Sequence, residues 1–119
     1  FIKREHISRG TFIAAVGSDN EEKQELDPQV LKNAKIVTDI TEQCATIGEL
    51  HHAIEERVLT QTEVHAELGE IVAGKKARIS DEEIIIFDST GMALQDVASA
   101  VVVYEKALKR NVGTKIKFF

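Results

Sequence analysis

The sequence has little of what disulfide-rich, membrane-spanning or disordered proteins need. Its 119 residues include one cysteine, one proline and no tryptophan, and only 5% are aromatic. A single thiol, that of Cys44, excludes a disulfide framework and predicts a reducing, cytoplasmic compartment. The longest apolar runs, 84–87 and 100–104, fall far short of the roughly 20 residues that cross a bilayer, so we expect a soluble protein with no membrane partner. The 43% of hydrophobic residues can form a packed core, which excludes disorder.

Two further absences concern the start of the chain and its phosphate chemistry. The chain opens at Phe1 rather than at methionine, so we expect a piece of a longer protein. Neither common glycine-rich phosphate-binding loop is present. These residues by themselves therefore encode no cradle for a pyrophosphate.

Positive charge is scarce except near the C-terminus. A net charge of -5 argues against a nucleic-acid partner, which needs a basic face to replace the counterions of phosphate. Residues 97–119 nevertheless carry five basic side chains against one glutamate. The three at 106, 109 and 110 either complement the dipole at a helix end or form an anion-binding arm, and the first interpretation is the more common one.

Short apolar segments alternate with helical patterns along the chain. Runs of β-type residues at 11–16, 36–40 and 83–88 predict three buried strands, and the last is apolar on both faces, so we expect it at the centre of a sheet. An alternating run at 115–118 predicts a final exposed strand.

Capping residues and spacings of three and four predict four helices. They are a short helix after Asp27, one from Thr41 or Thr46 to about Leu59, one from Thr62 to Gly74, and one from Gly91 to about Asn111. The apolar stripe of the last helix predicts a core or a dimer interface.

Strands joined by helices of this kind pair in parallel through right-handed crossovers. The sequence therefore predicts an α/β fold, part of a doubly wound, Rossmann-type parallel sheet with crossover helices. Ligands of such sheets bind at the carboxyl ends of the strands. Here those ends are the segments 17–19 and 88–91.

Both strand ends carry side chains suited to chemistry. Ser89 and Thr90 lead into the last helix, where hydroxyls and free N–H groups can bind a carbonyl oxygen, an amide or an anion. The plainer interpretation is that one of them is only the helix N-cap. Asp19, in a turn with Gly17, is a candidate general acid or base, although aspartates in turns are common.

A histidine pair gives only a weak signal for a metal. His51 and His52 are each followed four residues later by a glutamate, at 55 and 56. Solvated helix pairs of this kind are far more common than metal sites. Cys44 has no ligand partner at metal spacing and nothing marks it as a nucleophile. We predict no metal site.

Five ordered segments of the sequence resemble one known family. They are Gly10–Asp19 continuing through Lys23–Pro28, then Gln43–Cys44, Gly48–Leu50, Val64–Gly69, and Phe87–Ala93 with Gln95–Asp96. In this order and at these separations, over nearly the whole chain, they resemble the ornithine cyclodeaminase and mu-crystallin family. The resemblance implies an NAD(P)-dependent protein with a Rossmann domain and a separate dimerisation and substrate domain.

The resemblance covers only the later part of the family's sequence. The family's glycine-rich loop and its substrate-gripping arginine and lysine lie before the equivalent of Phe1. The resemblance implies that residues 1–113 are the later part of the Rossmann domain and that 114–119 form a strand returning to the missing domain. It also implies a homodimer formed through that missing domain.

Site residues follow from the same resemblance. Asp19 matches the family's catalytic acidic residue, and Ser89 with Thr90 matches the segment beside the nicotinamide. The residues expected to contact NAD or NADP, incompletely without the missing loop, are Val16, Gly17, Ser89, Thr90 and Gly91.

The resemblance implies an enzyme of amino-acid and imino-acid metabolism. The parent chain would move a hydride between nicotinamide and an α-amino or imino acid, with Asp19 exchanging a proton near the substrate nitrogen. Conversion of ornithine to proline plus ammonia is one form of this chemistry. The 119 residues alone are not expected to be competent. The alternatives are a non-catalytic, NADP-binding protein of crystallin type and an inactive fragment.

Overall fold

Four parallel strands form the sheet of this computed structural model, which describes residues 1–117. They are β1 (Phe12–Ala15), β2 (Lys35–Thr38), β3 (Ala66–Glu67) and β4 (Ile85–Asp88). Their spatial order is β1-β4-β2-β3, so the last strand in sequence lies between the first two. The predictions of an α/β parallel sheet and of a central position for the most apolar strand are confirmed.

Within residues 1–117, five α-helices accompany the sheet. They are α1 (Pro28–Leu31), α2 (Thr41–Ile47), α3 (Glu49–Glu55), α4 (Leu68–Val72) and α5 (Ala93–Arg110). The carboxylate of Asp27 accepts the N–H of Gln29 at 2.9 Å and so caps α1, as predicted. Within residues 1–117, no helix is long and apolar enough to cross a membrane.

The core is built from β2, β4 and the three helices α1–α3. Its fully buried side chains include Leu31, Ile36, Leu50 and Ile86. The strand β1 lies at the sheet edge and is buried on one face only, since Ala15 is 2% exposed whereas Phe12 and Val16 are 60% and 63% exposed. The prediction of a buried strand was therefore wrong for the outer face of β1, because nothing among the described residues covers that face.

The helix predicted from Thr41 or Thr46 to about Leu59 is two helices. The backbone of Gly48 is extended between α2 and α3, with φ -93° and ψ -173°. The carboxylate of Asp88, at the end of β4, accepts the N–H groups of Glu49 and Leu50 at 3.2 and 2.9 Å. A cap supplied by another strand thus starts a new helix at this point.

The helix predicted from Thr62 to Gly74 was also wrong in its first half. Residues Gln61–Glu63 form a single 3-10 turn, and Ala66–Glu67 form β3, which pairs with Val37 and Thr38 of β2. Only α4 remains of the predicted helix. The reason is tertiary, because pairing with a buried strand outweighs a helical spacing of apolar residues.

The final strand predicted at 115–118 is not seen in the described residues. Residues 114–117 form neither helix nor strand, and 118 and 119 lie outside the described residues. A strand needs a partner for its N–H and C=O groups, and within residues 1–117 no strand lies beside this segment.

Candidate functional site

The carboxyl ends of three neighbouring strands meet at one edge of the sheet. Ala15 of β1 lies beside Asp88 of β4, and Asp88 lies beside Thr38 of β2. Backbone hydrogen bonds extend this alignment by one residue, because Ser89 N–H donates to Ala15 and Asp39 N–H donates to Asp88. The loops that follow these strands therefore start side by side, as expected for the ligand-binding edge of a doubly wound sheet.

Asp19 lies on the loop after β1 and faces solvent. Its carboxylate pairs with the ammonium of Lys23 at 2.5 Å, and its side chain is 56% exposed. The hydrogen bond from Lys23 and the charge of that ammonium hold the pKa of Asp19 below its ordinary value. Asp19 is therefore ionised at neutral pH and accessible to a ligand.

Side chains of Ser18, Glu25 and Glu49 fix the shape of this loop. The hydroxyl of Ser18, 1% exposed, donates to the carbonyl of Lys23 at 2.6 Å. The Glu25 carboxylate accepts the Gly17 N–H at 3.3 Å, and the space that a Cβ at Gly17 would need is filled by that carboxylate. Glu49, buried in α3, accepts the N–H groups of Glu25 and Leu26 at 2.7 and 3.1 Å.

Asp88 anchors the centre of the edge. Its side chain is fully buried and caps α3, as described above. Burial raises the pKa of Asp88 to about 6, although the two N–H groups that it accepts act in the opposite direction. Burial likewise raises the pKa of Glu49. Both carboxylates serve the backbone and neither faces the surface.

Asp39, directly after β2, is a third buried carboxylate and is 4% exposed. One oxygen accepts Ile40 N–H at 2.7 Å and the Cys44 thiol at 3.2 Å, and the other accepts Ser89 Oγ–H at 2.9 Å and Gly91 N–H at 2.8 Å. Burial works to raise the pKa of Asp39, but these hydrogen bonds hold it below its ordinary value.

The segment 89–91 after β4 does not cap the last helix. α5 begins at Ala93 with Met92 at the N-cap position and no side-chain cap. The N-cap interpretation of Ser89 and Thr90 is therefore wrong. Ser89 points to Asp39 instead, and Thr90 Oγ1 lies 2.8 Å from Gln43 Nε2 of α2.

Of the two histidine–glutamate pairs predicted at a spacing of four residues, the described residues show the first, whereas His52 contacts a backbone carbonyl. His51 Nε2 lies 3.5 Å from Glu55, and the Nε2 atom of His52 lies 2.7 Å from the carbonyl of Lys23. The ligand atoms of His51, His52 and Glu55 come within 4.8 Å of one another, but these contacts are ordinary surface pairs, and the absence of a metal site stays a prediction. Burial beside Asp88 and Asp39 raises the pKa of the Cys44 thiol, which is thus a hydrogen-bond donor and no nucleophile.

A model of the ornithine cyclodeaminase/mu-crystallin family matches residues 1–111. The chain belongs to this family. It is 56% identical over 119 residues to the alanine dehydrogenase of Archaeoglobus fulgidus, a match that covers 99% of this chain and 37% of that protein. It is 41% identical over 116 residues to the iminosuccinate reductase of Paracoccus denitrificans, covering 98% of this chain and 36% of that protein. The chain thus spans little more than a third of these relatives.

Solved structures of the family have the same fold. An archaeal alanine dehydrogenase dimer with bound NAD superposes with a TM-score of 0.91 at 55% identity, covering 99% of this chain and 37% of that one. The Thermococcus litoralis Delta(1)-pyrroline-2-carboxylate reductase, in complex with NADH and L-proline, gives 0.91 at 38% identity, covering 97% and 36%. The resemblance deduced from the sequence is confirmed.

Within this family fold, the two predicted site segments share one edge. Asp19 lies on the loop after β1, and Ser89–Gly91 lie on the loop after β4, with β1 and β4 paired. The sequence reasoning missed Asp39 and the role of Gln43. An acidic residue directly after a predicted strand was the available signal for Asp39, but its partners Ser89 and Gly91 lie on the loop after β4, 50 and 52 residues along the chain.

Proposed function

We propose that this chain is the later part of a longer NAD(P)-dependent enzyme that transfers a hydride between nicotinamide and the α-carbon of an amino or imino acid. The observation that carries the proposal is the shared edge, where an ionised, exposed Asp19 and the polar Ser89–Gly91 loop follow two paired strands. The full-length protein is the longer polypeptide that contains these 119 residues together with the rest of the proposed enzyme.

The relatives support one substrate class. Alanine, iminosuccinate and Delta(1)-pyrroline-2-carboxylate, from which the relatives take their names, share a carboxylate next to the carbon that bears nitrogen. We propose a small α-amino or α-imino acid of this kind. A lysine cyclodeaminase structure, described for its recognition of L-lysine and L-ornithine, matches at 27% identity and a TM-score of 0.81. It supports a second form of the proposed chemistry, the conversion of ornithine to proline plus ammonia.

The residues at the edge fit the nicotinamide end of NAD or NADP. Ser89 and Thr90 offer hydroxyls, and Gly91 has φ +83° with nothing within 4 Å of the position of a Cβ, so its backbone is open to close approach. Val16 and Gly17 begin the neighbouring loop and are proposed to line the same space. The cofactor would supply the hydride acceptor or donor. Its pyrophosphate requires a glycine-rich loop from the rest of the protein.

Asp19 is proposed to balance the protons of the reaction. When a hydride leaves the α-carbon of the amino acid, the nitrogen must lose a proton as the C=N bond forms, and Asp19 accepts it. In the reverse direction a hydride adds to the imine carbon and the nitrogen regains the proton. An ionised carboxylate on an exposed loop is suited to accept first.

We also propose that the full-length protein is a cytoplasmic homodimer. The archaeal alanine dehydrogenase structure is a dimer, which supports a homodimer for the full-length protein. The lone cysteine, buried and without a disulfide, supports a cytoplasmic protein. Light scattering of the purified full-length protein tests the first, and cell fractionation tests the second.

The activity is tested with the full-length protein and a panel of substrates. Absorbance of NADH and NADPH is followed with pyruvate plus ammonia, with Delta(1)-pyrroline-2-carboxylate and with iminosuccinate, and ornithine is assayed for ammonia release. Turnover of at least one is expected. Cofactor binding without any turnover would favour the non-catalytic, crystallin-like alternative, and no cofactor binding would overturn the proposal.

Replacing Asp19 tests the residue assignment. Asp19→Asn should leave cofactor affinity unchanged and lower turnover by roughly 10²-fold or more, which is the usual size of a general acid-base contribution. Ser89→Ala is the comparison, because loss of one neutral hydrogen bond costs on the order of 1 kcal/mol. Steady-state kinetics and calorimetric cofactor titration measure both. Unchanged turnover in Asp19→Asn would reduce Asp19 to a turn residue.

A further inference from the structure

Two side chains between β2 and the middle of α2 hold every residue of the Ser89–Gly91 loop. Asp39 accepts the hydroxyl of Ser89 and the N–H of Gly91 through the same oxygen, at 2.9 and 2.8 Å. Gln43 Nε2 lies 2.8 Å from Thr90 Oγ1 and 2.9 Å from the carbonyl of Gly91. The loop has no helix cap of its own. Its shape therefore depends on these two residues.

The Asp39 contacts decide the direction of the Ser89 hydrogen bond. Asp39 is ionised and can only accept, and within residues 1–117 it forms no ion pair with a basic side chain. Gly91 N–H can only donate. The hydroxyl proton of Ser89 is consequently committed to Asp39, and the lone pairs of Ser89 Oγ are left to accept a hydrogen bond from a ligand.

The Gln43 contacts decide the direction for Thr90 in the opposite sense. The carbonyl of Gly91 can only accept, so the atom of Gln43 that faces it must be the amide nitrogen. The second hydrogen of that nitrogen points to Thr90 Oγ1, which accepts it. The Thr90 proton is then free to donate, and its other hydrogen-bonding contact in the described part of the chain is the Cys44 sulfur, 3.9 Å away.

An acceptor and a donor on successive residues match a primary carboxamide, whose NH₂ donates and whose C=O accepts. We propose that Asp39 and Gln43 are positioning residues that fix Ser89 as an acceptor and Thr90 as a donor toward the carboxamide of the nicotinamide ring. This inference rests on the proposed function, since that function brings the cofactor to this edge.

The experiment compares two cofactors that differ at this group. NAD⁺, or NADP⁺ if the protein prefers it, and the corresponding 3-acetylpyridine analogue, which keeps the carbonyl but has methyl in place of NH₂, are titrated into the full-length protein by calorimetry. Wild type should bind NAD⁺ more tightly by roughly fivefold to tenfold, because the analogue leaves Ser89 Oγ without its donor. In Asp39→Asn the side-chain NH₂ must face either Ile40 N–H or Gly91 N–H, so the loop shifts. The ratio of the two affinities, NAD⁺ over the analogue, should then fall to a value between about one and two.

Two further variants separate positioning from stability. Glu83→Gln is the matched control: that carboxylate accepts hydrogen bonds from Lys35, Ile79 and Ser80 at the opposite end of the sheet, so it should lower thermal stability and keep the cofactor ratio. Gln43→Met replaces Asp39→Asn if that variant does not fold. The polar contacts of Gln43 among the described residues go only to Thr90 and Gly91 of the loop. Losing them should shift the loop that carries Ser89, so the ratio should fall as well.

The outcomes are distinct. A ratio that falls in Asp39→Asn or Gln43→Met but not in Glu83→Gln supports the inference. An unchanged ratio in both loop variants, an equal fall in Glu83→Gln, or a wild type that does not distinguish the two cofactors overturns it and leaves the proposed function intact. If wild type binds neither NAD⁺ nor NADP⁺, the proposed function fails, and the inference fails with it.

Discussion

At the scale of single residues, the feature with the clearest consequence is the pair formed by Asp19 and Lys23. Both side chains are about half exposed, so water screens their attraction and the pair adds little to stability. Its effect is on protonation, because the ammonium favours the ionised carboxylate. The backbone of Lys23 is held separately, since its carbonyl accepts Ser18 Oγ–H and lies 2.7 Å from His52 Nε2. A side-chain substitution at Lys23 therefore isolates the charge.

Lys23→Gln should move the acidic limb of the pH profile. Lys23 lowers the pKa of Asp19, so removing the ammonium raises it. Asp19 must be ionised to accept a proton, and the pH at which activity is lost on acidification should thus be higher in the variant. The measurement is kcat/KM against pH in the full-length protein. Lys75→Gln, which removes a similar surface pair with Glu70, is the control and should leave the profile in place. Superimposable profiles for Lys23→Gln and wild type would contradict the assignment.

At the scale of elements, the junction of α2 and α3 connects the helices to the site. Gly48 separates the two helices, and the buried Asp88 carboxylate lies against it and caps α3. A Cβ at Gly48 would lie 2.7 Å from Asp88 Oδ2 and 3.0 Å from the Cα of Cys44. The carboxylate cannot move aside without releasing two N–H groups, and the backbone of α2 cannot move without shifting Cys44 and Gln43.

Gly48→Ala should therefore destabilise the protein by roughly 1–3 kcal/mol, the usual cost of overpacking a buried site. Gly69→Ala in α4 is the matched control, because nothing lies within 4 Å of its Cβ position and its φ is not positive. Alanine there should be neutral or stabilising by about 0.5–1 kcal/mol. Thermal melting of the two full-length variants measures the difference. Equal melting temperatures would show that the junction tolerates a side chain.

At the scale of the whole molecule, the described residues 1–117 leave large apolar surfaces uncovered. The radius of gyration is 17.8 Å, against about 13.5 Å for a compact domain of this length. α5 has no buried residue, and its side chains Leu94, Val97, Val101 and Leu108 are each at least half exposed. Among the described strands β1 pairs with β4 alone, so one of its edges is open, and its outer face exposes Phe12 and Val16. Open edges and apolar faces of this extent promote association.

The 119-residue chain expressed alone should therefore associate, and it should bind NAD(H) or NADP(H) poorly or not at all, since it lacks the loop that holds the pyrophosphate. Size-exclusion chromatography with light scattering and calorimetric titration measure both. A variant with Val101→Lys and Leu108→Lys should associate less, because it breaks the apolar stripe of α5. A monomeric preparation of the unaltered chain with submicromolar cofactor affinity would show that the phosphate site lies within these residues.

Local sequence signals were sufficient for several parts of this fold. Strands β1, β2 and β4 could be predicted because each is an apolar, β-branched segment that ends in turn residues. Such a pattern is visible in the local sequence without knowledge of the pairing partner. The Asp27 cap and the long helix that ends at about Asn111 could also be predicted, because capping residues and helical spacing are local signals. The helical connections predicted parallel pairing, which places Asp19 and Ser89 at the same edge of the sheet.

Tertiary structure alone decided the parts that depend on contacts across the chain. Ala66–Glu67 form a strand because they pair with the edge of β2. Gly48 is a helix boundary because the carboxylate of Asp88, at the end of β4, caps the helix that follows it. The hydrogen-bond partners of Asp39 are up to 52 residues away along the sequence. No local pattern could therefore reveal that Asp39 holds the Ser89–Gly91 loop. Capping patterns and periodicity reflect interactions between residues that are close together in sequence. The donors to a buried carboxylate are instead determined by which segments the tertiary structure places around it.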